Sequence, residues 1–198
     1  VSWAGGREPV GPFEGDPRVE VLRAAVPEFY AAWNALNYSE PALTEITMLR
    51  PLESAANSTR TTVESGRGVN RLFEGPPSFT VTGVEELDAE AQIFTIRVCE
   101  RRSPWWTLEG EAWRYPDEVV EERDGLFRVE QAHYVENQYR VSWWQERWQV
   151  EAFGGGGSTE CDPGDEVAVP TFTTPPDLSL LTEATPEMVI GPDGEPVE

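Results

Sequence analysis

Apolar residues recur at helical spacing in the first third of the chain and at alternate positions through most of the rest. Leu22, Val26, Phe29, Trp33 and Leu36 lie on one face of a helix predicted over Val19 to Asn37. Pro27 falls inside that pattern and is expected to kink the helix or start it afresh. Ser39 is placed to cap a short second helix carrying Leu43 and Ile46. Pro51 reads as the first position of a third, with Leu52, Ala55, Ala56, Thr59 and Val63 on one face and Gly66 and Gly68 as its stop.

Beyond Gly68 the period falls to two. Phe79 and Val81 open one strand, and Phe94, Ile96 and Val98 line one face of the next, which turns Cys99 to the opposite face. Trp106, Leu108 and Ala112 suggest a third strand. After Asp124-Gly125 a long strand is expected, with Phe127, Val129, His133 and Val135 on one side. Tyr139, Val141 and Trp143 follow, and Trp148, Val150 and Ala152 mark the last strand. Helices first and then antiparallel strands make an α+β domain. The expected organisation is a loose lead-in over 1–17, a domain over 18–161 and an acidic, proline-rich tail over 162–198. Gly154 to Ser158 reads as a flexible stretch, and the tail alone should have no core.

Composition narrows the partners. The chain has 198 residues and a formal charge of −21, and all 15 of its basic residues are arginine. The arginine-only bias fits a GC-rich coding sequence, as in a high-GC bacterium. The acidic excess argues against nucleic acid and anionic membrane surfaces. No apolar run is long enough to span a bilayer. The chain begins at Val1, which leaves room for a removed signal peptide or anchor and so for a place on the periphery of a membrane complex. Two cysteines, Cys99 and Cys161, permit one bridge or two free thiols.

Candidate chemistry is sparse. His133 is the only histidine, and by strand period it faces the interior, where it would serve as a general base if an acid stood beside it. No partner is marked in the sequence, so a packed histidine is the plainer reading. Eight tryptophans are unusual, and two adjacent pairs, Trp105-Trp106 and Trp143-Trp144, should each put one ring outside the core. Such rings fit burial by a protein partner, stacking on sugars, or shielding by neighbouring arginines. The acidic runs Glu85-Glu86, Glu121-Glu122 and Asp162 to Glu166 lack calcium-loop spacing and read as solvated surface. Asn57-Ser58-Thr59 and Asn37-Tyr38-Ser39 match glycosylation acceptors, read as chance in a bacterial chain. No phosphate loop, nucleophile elbow or zinc spacing is present, so no catalytic residue, metal or cofactor is expected. In the tail, Val167, Val169 and Phe172, then Leu178, Leu180 and Leu181, then Met188, Val189 and Ile190 form three apolar groups suited to docking along a neighbour.

Three stretches carry a resemblance. "PEFYAAWNALNYSEPALTEI", "VTGVEELDAEAQIFTIRVCE" and "RWQVEAF" resemble the opening helix, the cysteine-ended strand and the closing strand of nuclear transport factor 2-like (cone-shaped, cystatin-like) proteins. Small secreted or lipid-anchored actinobacterial members are the nearest in character. The resemblance implies three N-terminal helices packed on a curved antiparallel sheet, an open cone and a Cys99–Cys161 disulfide. It also implies an extracytoplasmic setting. The expected function is a non-enzymatic binding or assembly module, with Trp105, Trp106, Trp143, Trp144, Phe172, Leu178, Leu180 and Leu181 meeting a protein partner or a second copy. The alternative is a small-molecule enzyme or carrier using the cone, with His133 as base.

Overall fold

The computed structural model of the chain describes residues 2–3, 11–67, 69–154, 159–164 and 170–198. In chain order the elements are β1 (Ser2–Trp3), α1 (Pro17–Ala35), α2 (Pro41–Thr44), α3 (Leu49–Thr62), a π-helical turn (Val63–Arg67), β2 (Leu72–Phe73), β3 (Ser78–Asp88), β4 (Ile93–Arg101) and β5 (Trp105–Leu108). There follow α4 (Glu109–Ala112), β6 (Val119–Arg123), β7 (Leu126–Val129), β8 (Val135–Trp144), β9 (Arg147–Ala152), β10 (Pro170–Thr171), α5 (Leu180–Glu183) and a 3₁₀ turn (Pro186–Met188). The class is α+β, as the order of periods implies. The single curved sheet is replaced by two four-stranded antiparallel sheets, ordered β3-β4-β8-β9 and β2-β5-β7-β6, with a β1-β10 ribbon beside them. Among the described residues, five α-helices stand where three were expected. The additions, α4 and α5, are single turns outside the N-terminal region.

Helix α1 runs unbroken through Pro27. Asp16 caps it by accepting from the Arg18 amide, and Pro17 occupies the first turn, where its missing N–H costs nothing. Its Val19, Leu22, Ala25 and Val26 bury against Phe79, Val81, Ile96, Val98, Tyr139, Val141 and Val150 on one face of the larger sheet. The start of α3 lies two residues before Pro51, which therefore sits in the first turn, where no intrahelical N–H bond is lost. Ser39 does not cap α2. Its hydroxyl donates to the Asn37 side chain, and Glu40 holds the cap position. Gly68, expected as part of the stop to α3, lies outside the described residues.

The long strand expected over Phe127 to Val135 is two strands. β7 closes the smaller sheet at Val129, and the chain crosses to the larger sheet before β8 begins. His133 falls in that crossing, exposed, so the alternation that would have turned it inward does not run through it.

Cys99 and Cys161 are joined in a disulfide, with Cα atoms 5.9 Å apart. Beside it the Glu136 amide donates to the Thr159 carbonyl and the Cys161 amide to that of Tyr134, so this segment pairs with the start of β8 beyond the reach of β9.

The tail folds back on its own domain. Leu181 and Val189 are fully buried and Leu180 nearly so, in one core with Leu36, Tyr38, Leu43, Leu52, Val69, Leu72 and Trp106. Its backbone is tied as well. The Phe172 amide donates to the Glu74 carbonyl, and Ile190 exchanges bonds with Leu36 and Tyr38. Gly75 makes the crossing possible, because a Cβ there would stand 2.0 Å from the Pro170 carbonyl oxygen. The expectation of a tail seated on a neighbouring subunit is thus corrected for Leu180 and Leu181, which are covered by this chain. Phe172 and Leu178 are half-buried, while Val167 and Val169 lie outside the described residues.

Candidate functional site

Trp105 and Trp106 are both buried, contrary to the expectation that one would stand outside. Each face of the smaller sheet is covered. Trp105 packs with Phe73, Val129 and Tyr115, whereas Trp106 joins the core that holds the tail leucines. Arginines lie over both rings, Arg71 at 5.3 Å from Trp105 and Arg123 at 4.9 Å from Trp106. The Trp106 indole donates to Glu74, whose carboxylate also clamps Arg128 through two bonds of 2.6 and 2.8 Å. These two rings offer nothing to a partner.

His133 stands at the surface with Nδ1 3.8 Å from a Glu118 oxygen. The interior holds a different titratable group, which the sequence reading missed. Glu100 falls on the same face of β4 as Phe94, Ile96 and Val98, and is 3% exposed. It accepts a 2.6 Å bond from the Tyr139 hydroxyl and a 2.8 Å bond from the Asn137 amide. Burial pushes its carboxyl above the usual range, against the lowering effect of these two bonds and of the Arg102 charge. Burial likewise raises the Tyr30 and Tyr139 phenols, and the Glu100 charge adds to both. Its signal was legible: strict alternation from Phe94 puts residue 100 inside. The network is closed, for none of its members lines any of the clefts described below.

The accessible space lies elsewhere. A cleft of about 950 Å³ opens between the start of α3 and the β8–β9 hairpin. Its walls include Arg50, Arg140, Arg147, Trp144, Thr47 and Glu151. The hairpin turn is tight. Gln145 and Glu146 both take the left-handed conformation, φ 50° and 64°, so Trp144 pairs directly with Arg147. Strand alternation then puts Arg140, Ser142 and Trp144 on one face and Tyr139, Val141 and Trp143 on the other. Phe29 and Phe153, both cleft-lining, stack at 4.0 Å. Two smaller spaces lie by the tail hairpin, about 750 Å³, and by Val69 and Arg114, about 400 Å³.

Trp143 and Trp144 remain 41% and 55% exposed, so here both members of the pair reach solvent. Trp143 still meets Trp148 edge to face at 5.3 Å. Leu49, on the cleft wall, is 57% exposed, and Leu87 at the end of β3 is 58% exposed. Among the described residues no group of three or more His, Cys, Asp or Glu side chains converges to hold a metal. Nor is any described helix long and apolar enough to cross a membrane.

No family model matches the chain, and no curated protein does. Among solved structures, the crystal structure of the intermembrane space region of the chloroplast protein ARC6 is similar with a TM-score of 0.41. The two share 12% sequence identity, over 71% of this chain and 95% of that one.

Proposed function

We propose that the chain is a non-enzymatic, extracytoplasmic binding module whose target is met by the β8–β9 hairpin and the cleft beneath it. The observation that carries this reading is the exposed Trp143-Trp144 pair at the hairpin tip, with Trp144 on the rim of that cleft and Trp143 on the opposite face. Tryptophan is strongly enriched where binding energy concentrates, and a large ring left in water at a hairpin tip gains free energy when a target covers it. The closed state of the Glu100 network supports a non-catalytic role, since an acid without access to solute has no substrate to protonate. His133 is exposed, has Glu118 rather than Glu100 beside it, and lines none of the three clefts, which weakens the reading of it as a general base. The disulfide supports an oxidising setting. The nuclear transport factor 2-like resemblance belongs to this same reading, supported by the helices-then-strands order and the paired cysteines. The partner, another protein or a second copy, would be engaged by the hairpin, since the tail leucines are occupied within the chain.

Size-exclusion chromatography with light scattering, run on the chain with its native partner material, tests this. The intact chain should travel in a larger particle. A Trp143→Ser/Trp144→Ser variant with unchanged circular dichroism should leave it. A double variant that remains in the particle would overturn the reading.

A further inference from the structure

Three of the features lining the cleft beside Trp144 call for an oxyanion. The first is charge. Arg18, Arg23, Arg60, Arg71, Arg97, Arg101, Arg114 and Arg128 all make ion pairs. Five described arginines make no ion pair or side-chain hydrogen bond: Arg102 and Arg123, the latter over the Trp106 ring, lie elsewhere, and Arg50, Arg140 and Arg147, all exposed, line this one cleft. In a chain of charge −21, cations would be expected to find carboxylates. On the cleft wall these three arginines face one acid, Glu151, and salt screens acids that lie beyond a Debye length of about 8 Å.

The second is the start of α3. Leu49, Arg50 and Pro51 line the cleft, no side chain caps this 14-residue helix at Met48, and its first turn has no acidic residue. Its positive end therefore opens on the cleft uncompensated. The third is Thr47, 2% exposed and cleft-lining, whose hydroxyl has no hydrogen-bond partner. A buried hydroxyl is normally satisfied, and one without a partner beside a cleft is explained by an absent one.

Two further features shape the rest of the ligand. Glu151 lines the same cleft with a buried, unpartnered carboxylate oxygen, so the ligand must bring a hydrogen-bond donor as well as an anion. Trp144 offers a flat exposed face at the rim, suited to a ring with an apolar side. A sheet-forming peptide fits less well. The β9 edge beside the cleft is already covered at Val150, which exchanges backbone bonds with Ile46 and Met48, so strand addition there is blocked.

We infer that the cleft binds an acidic saccharide. Its carboxylate or sulfate sits among Arg50, Arg140, Arg147 and the start of α3. A hydroxyl reaches Glu151, and one ring face lies on Trp144. This rests on the binding-module reading above, and the saccharide is a ligand of the same hairpin and cleft beyond the protein partner named there.

Isothermal titration calorimetry on the full chain tests it, with four probes: a uronate tetrasaccharide, a sulfated tetrasaccharide, a neutral tetrasaccharide and a hexaglutamate peptide. One or both acidic sugars should bind about tenfold or more tightly than the neutral sugar and the peptide, and more weakly as salt is raised. Which acidic sugar binds better separates carboxylate from sulfate recognition. Arg140→Gln, Arg147→Gln and Trp144→Ala should each weaken that binding about tenfold, and Thr47→Val should weaken it while the melting temperature holds. Equal binding of the neutral sugar or of hexaglutamate would overturn the ligand class and leave the module reading standing. So would a lack of binding by all four probes, if the tryptophan-dependent particle persists. If that particle is also lost as a finding, both readings fall.

Discussion

The chain carries the same dipeptide in two strands, and the two copies meet opposite fates. In β5, Trp105 and Trp106 are 0% and 7% exposed; in β8, Trp143 and Trp144 are 41% and 55% exposed. Both pairs obey the same strand geometry, one ring to each face. The difference comes from what lies over those faces. β5 is an inner strand whose two sides are covered by α1 and Tyr115 on one and by the tail and its core on the other. The second pair sits at the tip of a two-residue hairpin, past the last residues that α1 covers. Alternation therefore tells which face a side chain takes, and only the remote chain segments tell whether that face is dry.

The largest way to break this comparison is at Trp105. Trp105→Ala should cost about 3–5 kcal/mol, because a filled site between Phe73, Val129 and Tyr115 cannot collapse. Trp105→Phe should stay within about 1 kcal/mol, since the indole N–H is buried without a partner and nothing bonded is lost. Urea unfolding of both variants measures this, and equal losses would show that the ring is not held as described. Next comes the cover itself. Leu181→Ala, in the tail, should cost about 3 kcal/mol although it lies far along the chain from every strand it stabilises. A loss under about 0.5 kcal/mol would mark the tail as a solvated surface segment.

Much of the local structure was legible. The helix from the Leu22–Leu36 pattern, the α+β order and the inward face of β4 follow directly from periodicity. The tail's destination was not, because its apolar groups say only that they need cover. Whether that cover is a neighbour or the chain's own domain depends on a crossing allowed by one glycine, Gly75, about 100 residues earlier in sequence. His133 was misplaced for a related reason. Val129 and Val135 keep the same parity across a break between sheets, so alternation runs on where the strand does not. Glu100 was missed because the alternation along β4 was followed only as far as Cys99, one residue short of the acid whose register put it in the core.

That acid contrasts the two ends of the larger sheet, one closed over a carboxyl and one open at the cleft. Because burial raises its folded value, the folded protein holds this proton to higher pH than the unfolded chain does. Folding is then favoured by protonation: this group costs nothing below the unfolded carboxyl value of about 4.3, and its penalty grows as pH rises through the folded value. Glu100→Gln should remove that penalty. Its stability relative to the parent should improve as pH rises from acid to neutral. Unfolding midpoints across that pH range measure the difference, and a difference that stays flat would mean that Glu100 is already ionised and satisfied by Tyr139, Asn137 and Arg102.

The smallest expected change in stability is at Trp144. Its ring is 55% exposed, and it makes none of the ring contacts that hold Trp143 against Trp148. Trp144→Ala leaves the Gln145-Glu146 turn and the backbone pairing with Arg147 in place, so the fold should lose at most about 0.5 kcal/mol. Trp143→Ala should cost more, about 1 kcal/mol, through the lost edge-to-face contact. The order matters more than the sizes. If Trp144 is kept for a target, its removal must cost little in unfolding and much in binding, while the reverse holds at Trp105. Urea unfolding and ligand titration of the same two variants give four numbers. A Trp144→Ala loss of stability as large as that of Trp105→Ala would mean that the hairpin tip is part of the core, and the exposed face would cease to mark a binding surface.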